Sequence, residues 1–171
     1  AGTIRPQKSW QDFSILVDDV LERLRPVTRQ HRLRVEIPAD LPPVFLDPVE
    51  IGEVLYNLVE NATRYSPAGT EITIQVRLEG QMLRLAVSDR GPGLPATSLP
   101  HLFDPFYRVV EGQPRPQGLG LGLAIVKGLV TAHDGVVSAE NRAGGGARFT
   151  LVLPIKDVAD ELAAYADLES A

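Results

Sequence analysis

The strongest constraint on this chain is that its period-two segments come in adjacent pairs, with helical segments lying between the pairs. Ile72, Ile74, Val76 and Leu78 alternate with polar residues, Glu79-Gly80-Gln81 turns, and Leu83, Leu85 and Val87 alternate again. That is the pattern of a β-hairpin. Val136 with Val137, then Phe149, Leu151 and Leu153, supply a second pair around Gly144-Gly145-Gly146. A doubly wound parallel sheet needs strict alternation of strand and helix. Paired strands predict instead an α/β two-layer sandwich, in which a mixed, mostly antiparallel sheet is covered on one face by about three helices.

Three helical segments are available for that layer. Asp12 caps one that places Phe13, Leu16, Val17, Val20, Leu21 and Leu24 on one side, and Pro26 predicts a kink or an early stop. Leu33, Val35 and Ile37 then alternate with Arg34 and Glu36 as a half-buried strand, and PADLPP breaks the pattern. Asp47-Pro48 with Glu50 reads as a cap followed by proline at the first helical position, opening a helix that runs through LYNLVENATRYS until Pro67 and Gly69 stop it. The third helix follows GLGLGL, with Leu123, Ile125, Val126, Leu129 and Val130 as its apolar positions. Residues 95–120, rich in Pro, Gly and polar side chains, are too long for a plain connection, and such segments are commonly functional lids. The expected organisation is a connection ending at residue 11, one domain over 12–155, and an acidic tail over 156–171. In that tail Val158, Leu162, Tyr165 and Leu168 fall at helical spacing.

Composition narrows the function classes. A length of 171 residues with 44% hydrophobic character suits one domain with a sizeable core. The absence of cysteine excludes disulfides and thiolate metal sites, and the three scattered histidines have no metal-ligand spacing, so any metal arrives with a ligand. A net charge of -5, without a stripe of Lys and Arg, argues against nucleic-acid binding. No apolar run approaches the roughly 20 residues that span a bilayer, and the opening residues lack the apolar middle of a signal peptide.

Three elements carry chemistry. Asn57, Asn61, Arg64 and Tyr65 recur at spacings of three and four, so two carboxamides, a guanidinium and a phenol share one helical surface opposite Val54, Leu55, Leu58, Val59 and Ala62. A plain solvated face would favour Glu or Lys over asparagine, which has poor helix propensity. Neutral oxygens one turn apart suit a hydrated magnesium ion bridging phosphates, with Arg64 compensating phosphate charge and Tyr65 lying against a base. Asp89 ends an apolar strand and is followed by Gly91-Pro92-Gly93; a carboxylate there can accept from the exocyclic amino group of adenine, and the glycines let backbone approach the ring. As a string alone it also fits an ordinary Asp-Gly turn. Gly118-Leu119-Gly120-Leu121-Gly122 directly precedes a helix and offers N–H groups as a phosphate cradle or a hinge; it matches neither GxGxxG nor GxxxxGK. Between these stand Phe103 and Phe106, expected as loop anchors, and Arg108, placed to swing toward a terminal phosphate.

Taken in order, NLVENATRYS, DRGPGL, FDPFYR and GLGLGLAIVK resemble the N box, first glycine box, F box and second glycine box of the sensor histidine kinase catalytic domain. The resemblance covers roughly residues 12–155, and the general run is also similar to potassium-responsive sensors of the KdpD type. It implies the Bergerat fold, with ATP and Mg2+ as ligands. Position by position, Asn57 and Asn61 match the magnesium ligands, Arg64 the basic residue on the phosphates, and Tyr65 the ring beside the adenine. Asp89 matches the carboxylate reading the adenine amino group, with Gly91 and Gly93 beneath it; Gly118, Gly120 and Gly122, with Leu119 and Leu121 between them, match the lid hinge. Phe103 counts with the nucleotide-binding residues, and Arg108 with Asn57 and Arg64 as catalytic.

His31, His101 and His133 all lie outside the family's phosphoacceptor context. The resemblance therefore implies that the acceptor histidine sits on a separate helical dimerisation domain, with a response regulator as the parent protein's partner. It also implies a cytoplasmic location, with the parent anchored in the inner membrane. Two other readings are an ATP-gated clamp ATPase of the same superfamily, disfavoured because Asn57 stands where those enzymes carry a hydrolytic Glu, and a nucleotide-binding regulatory module without transfer activity.

Overall fold

A computed structural model describes residues 5–109, 120–159 and 162–163. In chain order its elements are β1 (Ser9–Gln11), α1 (Phe13–Thr28), β2 (Arg32–Glu36), β3 (Val44–Leu46), α2 (Pro48–Tyr65), β4 (Glu71–Glu79) and β5 (Met82–Ser88). They continue with α3 (Gly122–Ala132), β6 (Val136–Asn141) and β7 (Ala147–Pro154). Five strands form a sheet in the order β2-β4-β5-β7-β6, in which only β2 and β4 run parallel. The two-layer α/β architecture expected from strand pairing is the one observed.

Register explains why the sheet buries one face. Ile74, Val87, Phe149 and Ala139 lie opposite one another across β4, β5, β7 and β6, as do Val76, Leu85, Leu151 and Val137 in the next row. Side chains directly opposite project to the same side of a sheet. These two rows therefore present a continuous apolar strip to the helices, and most of their members are fully buried. Val35 departs from the pattern: alternation assigns it to the buried face, yet it is 41% exposed. Its strand is the sheet's edge, with a neighbour on one side only.

The helix caps are those the sequence encodes. Asp12 accepts from the amides of Ser14 and Ile15, and Asp47 from those of Val49 and Glu50, with Pro48 in the first turn. Asp47 does more than cap. Its Oδ2 accepts from Gln7 N at 2.7 Å, while its own N–H donates to His133 Nε2 at 3.1 Å. One residue thereby ties the incoming segment, the start of α2 and the end of α3.

Two local expectations are corrected. Pro26 does not stop α1, which continues to Thr28. So close to the helix end the missing N–H forfeits a single ladder bond, and the Thr28 hydroxyl adds a bond to Leu24 O. Ile125 lies on the outward side of α3, whereas Val126 and Val130 are buried. The segment before Asp12, read as the end of a connection, contributes β1, which pairs with β3 and sets Trp10 against Phe45 with ring centroids 5.2 Å apart. Val158 and Ala159 are helical, while Tyr165 and Leu168 fall outside the described residues. Among the described residues no helix is long and apolar enough to cross a membrane.

Asp47→Ala removes three acceptor contacts at a buried node, and is expected to lower stability by about 1–3 kcal/mol. Urea unfolding of the variant beside Asp12→Ala checks this; Asp12 caps from an exposed position, so its loss should cost less.

Candidate functional site

A cavity of about 790 Å³ opens between α2, the end of β5, β7 and the start of α3. Its volume lies in the range of small-molecule sites, roughly 300–1,000 Å³. Asn57, Asn61, Arg64 and Tyr65 line it from α2, Asp89 and Gly93 from the chain leaving β5, Arg108 from the irregular stretch, and Gly120, Leu121 and Gly122 from the approach to α3. Four stretches far apart in the chain thus meet at one cavity. Gly118 and Leu119 lie outside the described residues.

On α2 the division of faces is clean: Val54, Leu55, Leu58, Val59 and Ala62 are buried, and the polar four face the cavity. Asn57 is held in a defined orientation. Its Nδ2 donates to Glu53 O at 2.9 Å and to Glu53 Oε1 at 3.2 Å, so its Oδ1 is the atom left for a ligand. A Cβ at Gly122 would come within 3.0 Å of that oxygen, so glycine keeps the approach to the amide open. Arg64 is paired with Glu60, one turn earlier on α2, at 2.8 Å.

Asp89 is 4% exposed and fixed by backbone. Its Oδ1 accepts from Gly91 N at 2.8 Å and Ala147 N at 3.1 Å, and its main chain continues the β5–β7 pairing through a bond from its N–H to Ala147 O. Arg142 Nη1 donates to Asp89 O at 2.6 Å. Burial, and then the like charges of Arg90 and Arg148, lower the Arg142 pKa from its ordinary value, with Asp89 and Glu71 acting in the opposite direction. Oδ2 of Asp89 has no partner among the described residues, and so is the half of the carboxylate available to a ligand.

Two residues expected at the nucleotide, Gly91 and Phe103, are not among those lining the cavity. Gly91 is packed on the backbone of Tyr65, where a Cβ would meet Tyr65 O at 2.6 Å. Phe103 is absent from the cavity wall and abuts Phe149 edge-on, with centroids 6.3 Å apart; it is Phe149 that lines the cavity. Phe106, expected as a core anchor, is 70% exposed and held by backbone instead, its N–H donating to Gly120 O at 3.1 Å. That bond ties Phe106 to the glycine two residues before α3. Leu94, Pro95, Leu102, Tyr107 and Ala147 also line the cavity and were not singled out by sequence. The inward register of β7 was the available signal for Ala147 and Phe149.

Residues 46–157 match the model of the family described as histidine kinase-, DNA gyrase B-, and HSP90-like ATPases. The chain belongs to this family. Similar curated proteins include the adaptive-response sensory kinase SasA of Synechococcus sp. (strain JA-3-3Ab), 33% identical over 91% of this chain and 42% of that protein. The sensor protein KdpD of Escherichia coli (strain K12) is 37% identical over 90% of this chain and 17% of KdpD. The chain thus spans less than half the length of these relatives. Among solved structures, the mycobacterial sensor histidine kinase MprB aligns with a TM-score of 0.78 and 27% identity over 88% of this chain and all of that one. The catalytic domain of the histidine kinase ThkA aligns with a TM-score of 0.77 and 27% identity, covering 86% of this chain and 95% of that one. The likeness to KdpD is therefore real and is shared with other sensor kinases. For this ATPase domain Gly122 at the start of α3 lies beside Asn57 of α2, and the final hairpin lies against Asp89.

Glycine substitutions separate site geometry from turn strain. Gly146 has φ +96° and its added Cβ would overlap Asp89 O, whereas Gly144 has φ +85° and open space around it. Gly144→Ala should cost about 1–2 kcal/mol from backbone strain alone, and Gly146→Ala clearly more, with displaced amide resonances at Asp89 and Arg90. Paired denaturation curves and NMR spectra read both effects.

Proposed function

We propose that this chain is the ATP-binding catalytic domain of a two-component sensor histidine kinase, which binds Mg-ATP and donates the γ-phosphoryl group to a histidine on a separate helical dimerisation domain. The observation that carries this reading is the convergence of paired carboxamides, a strand-end carboxylate with one free oxygen, and a glycine-rich helix start on a single cavity. It is supported by family membership and by the kinases among the relatives and solved structures.

In this reading Asp89 Oδ2 accepts from the adenine amino group, and its fixed Oδ1 keeps it from rotating away. Tyr65 lies beside the base. Gly120 and Gly122 let backbone approach the phosphates, with Gly118 and Leu119 completing the hinge. The donor set fits magnesium: Asn57 and Asn61 offer neutral amide oxygens that do not repel phosphate, and the described residues hold no cluster of three His, Asp or Glu that would bind a metal by itself. Bound there with nucleotide, the ion supplies charge neutralisation of the phosphates. Arg64 exchanges Glu60 for phosphate oxygens, and Arg108, exposed at the cavity mouth, reaches the terminal phosphate. Phosphoryl transfer depends mainly on such positioning and neutralisation, and the parent protein brings the acceptor histidine, the response regulator and the inner-membrane anchor that keeps the domain in the cytoplasm. Asn57, where clamp ATPases carry a hydrolytic Glu, counts against ATP hydrolysis as the primary activity.

Calorimetry should show Mg-dependent binding of a nonhydrolysable ATP analogue, and labelled ATP should leave no stable phosphate on the isolated chain; stable self-labelling would contradict the division of labour proposed. Asp89→Asn retains an oxygen for Gly91 and Ala147 but turns an NH2 toward the adenine amino group. Affinity should fall at least tenfold, about 1.4 kcal/mol, with little change in Tm. Unchanged affinity removes Asp89 from its role.

A further inference from the structure

We infer that Asn141 is a positioning residue for the nucleotide site, fixing Leu94 on the cavity wall; the inference rests on the ATP-binding reading above. Asn141 closes β6 and is not among the residues lining the cavity, yet its carboxamide brackets both backbone groups of Leu94, 47 residues earlier. Leu94 N donates to Asn141 Oδ1 at 2.7 Å, and Asn141 Nδ2 donates to Leu94 O at 2.8 Å. A side-chain amide here stands in for one rung of a β-ladder, in a place where no strand runs.

Three neighbouring features tie this bracket to the site. Gly93 adopts φ +79°, and a Cβ there would lie 2.8 Å from Asn141 Oδ1, so the glycine and the asparagine require each other. Leu94 and Pro95 themselves line the cavity. The same β6–β7 turn holds Asp89, through Arg142 on its carbonyl and Ala147 on its Oδ1. The turn therefore sets the spacing between Asp89 and Leu94 on the cavity wall. Asn141 is exposed, so its bonds compete with water and add little to global stability; their effect should appear in the geometry of Leu94.

The test compares the wild-type chain with Asn141→Ala, using the Mg complex of a nonhydrolysable ATP analogue, thermal unfolding and residue-resolved amide exchange. The expected result is roughly tenfold weaker nucleotide binding, a Tm within about 2 °C of wild type, and faster exchange at Leu94 with the β6–β7 amides still protected. Affinity within twofold of wild type overturns the inference. So does a loss of affinity that tracks a lowered Tm and exchange across the whole hairpin, since that is a general folding defect. A wild-type chain that fails to bind sinks the nucleotide reading and this inference together, whereas normal wild-type binding beside an unaffected variant sinks the inference alone.

Discussion

The site depends on how one carboxylate oxygen is held. Asp89 Oδ1 accepts from Gly91, two residues on in the chain, and from Ala147, at the far end of it. The second bond exists only when β5 and β7 are paired in the observed register. A one-residue slip of β7 would turn Phe149 toward solvent and would also carry Ala147 N away from Asp89. Core burial and site assembly are thus enforced by the same strand pairing, and the apolar rows across the sheet supply the energy that keeps a small polar arrangement in place.

On the helical side the same economy holds within α2. Its buried side anchors it to the sheet and to α1 and α3, while the side carrying Asn57 and Asn61 pays the propensity cost of asparagine. Asp47 begins the helix and Ser66 ends it, the latter returning both its N–H and its hydroxyl to Ala62 O. Glu53 and Glu60, each one turn before a cavity residue, hold the Asn57 amide and the Arg64 guanidinium in set orientations.

Much of this was legible in the sequence wherever the signal was local and periodic. The three helices, both hairpins and the Asp12 and Asp47 caps follow from spacing and cap chemistry, and the cavity-lining residues of α2 follow from intervals of three and four. What escaped was short or long-range. β1 and β3 span three residues each, too few for alternation to register. Asn141 and Arg142 act on residues about 50 positions away, and nothing in a linear pattern marks a polar side chain whose partners are main-chain atoms across a sheet. Phe149 shows a different gap: it was read only as a strand residue, yet it lines the cavity, and Phe103, expected as a loop anchor, packs edge-on against it.

The burial of His133 settles a question of nucleophilicity. A phosphohistidine forms when a lone pair on an imidazole nitrogen attacks phosphorus. His133 is 2% exposed, its Nε2 lone pair is occupied by the amide of Asp47, and Nδ1 must then carry the proton it gives to Leu129 O. Neither nitrogen retains a free electron pair, so as long as α2 and α3 stay docked this imidazole is chemically silent toward phosphorus.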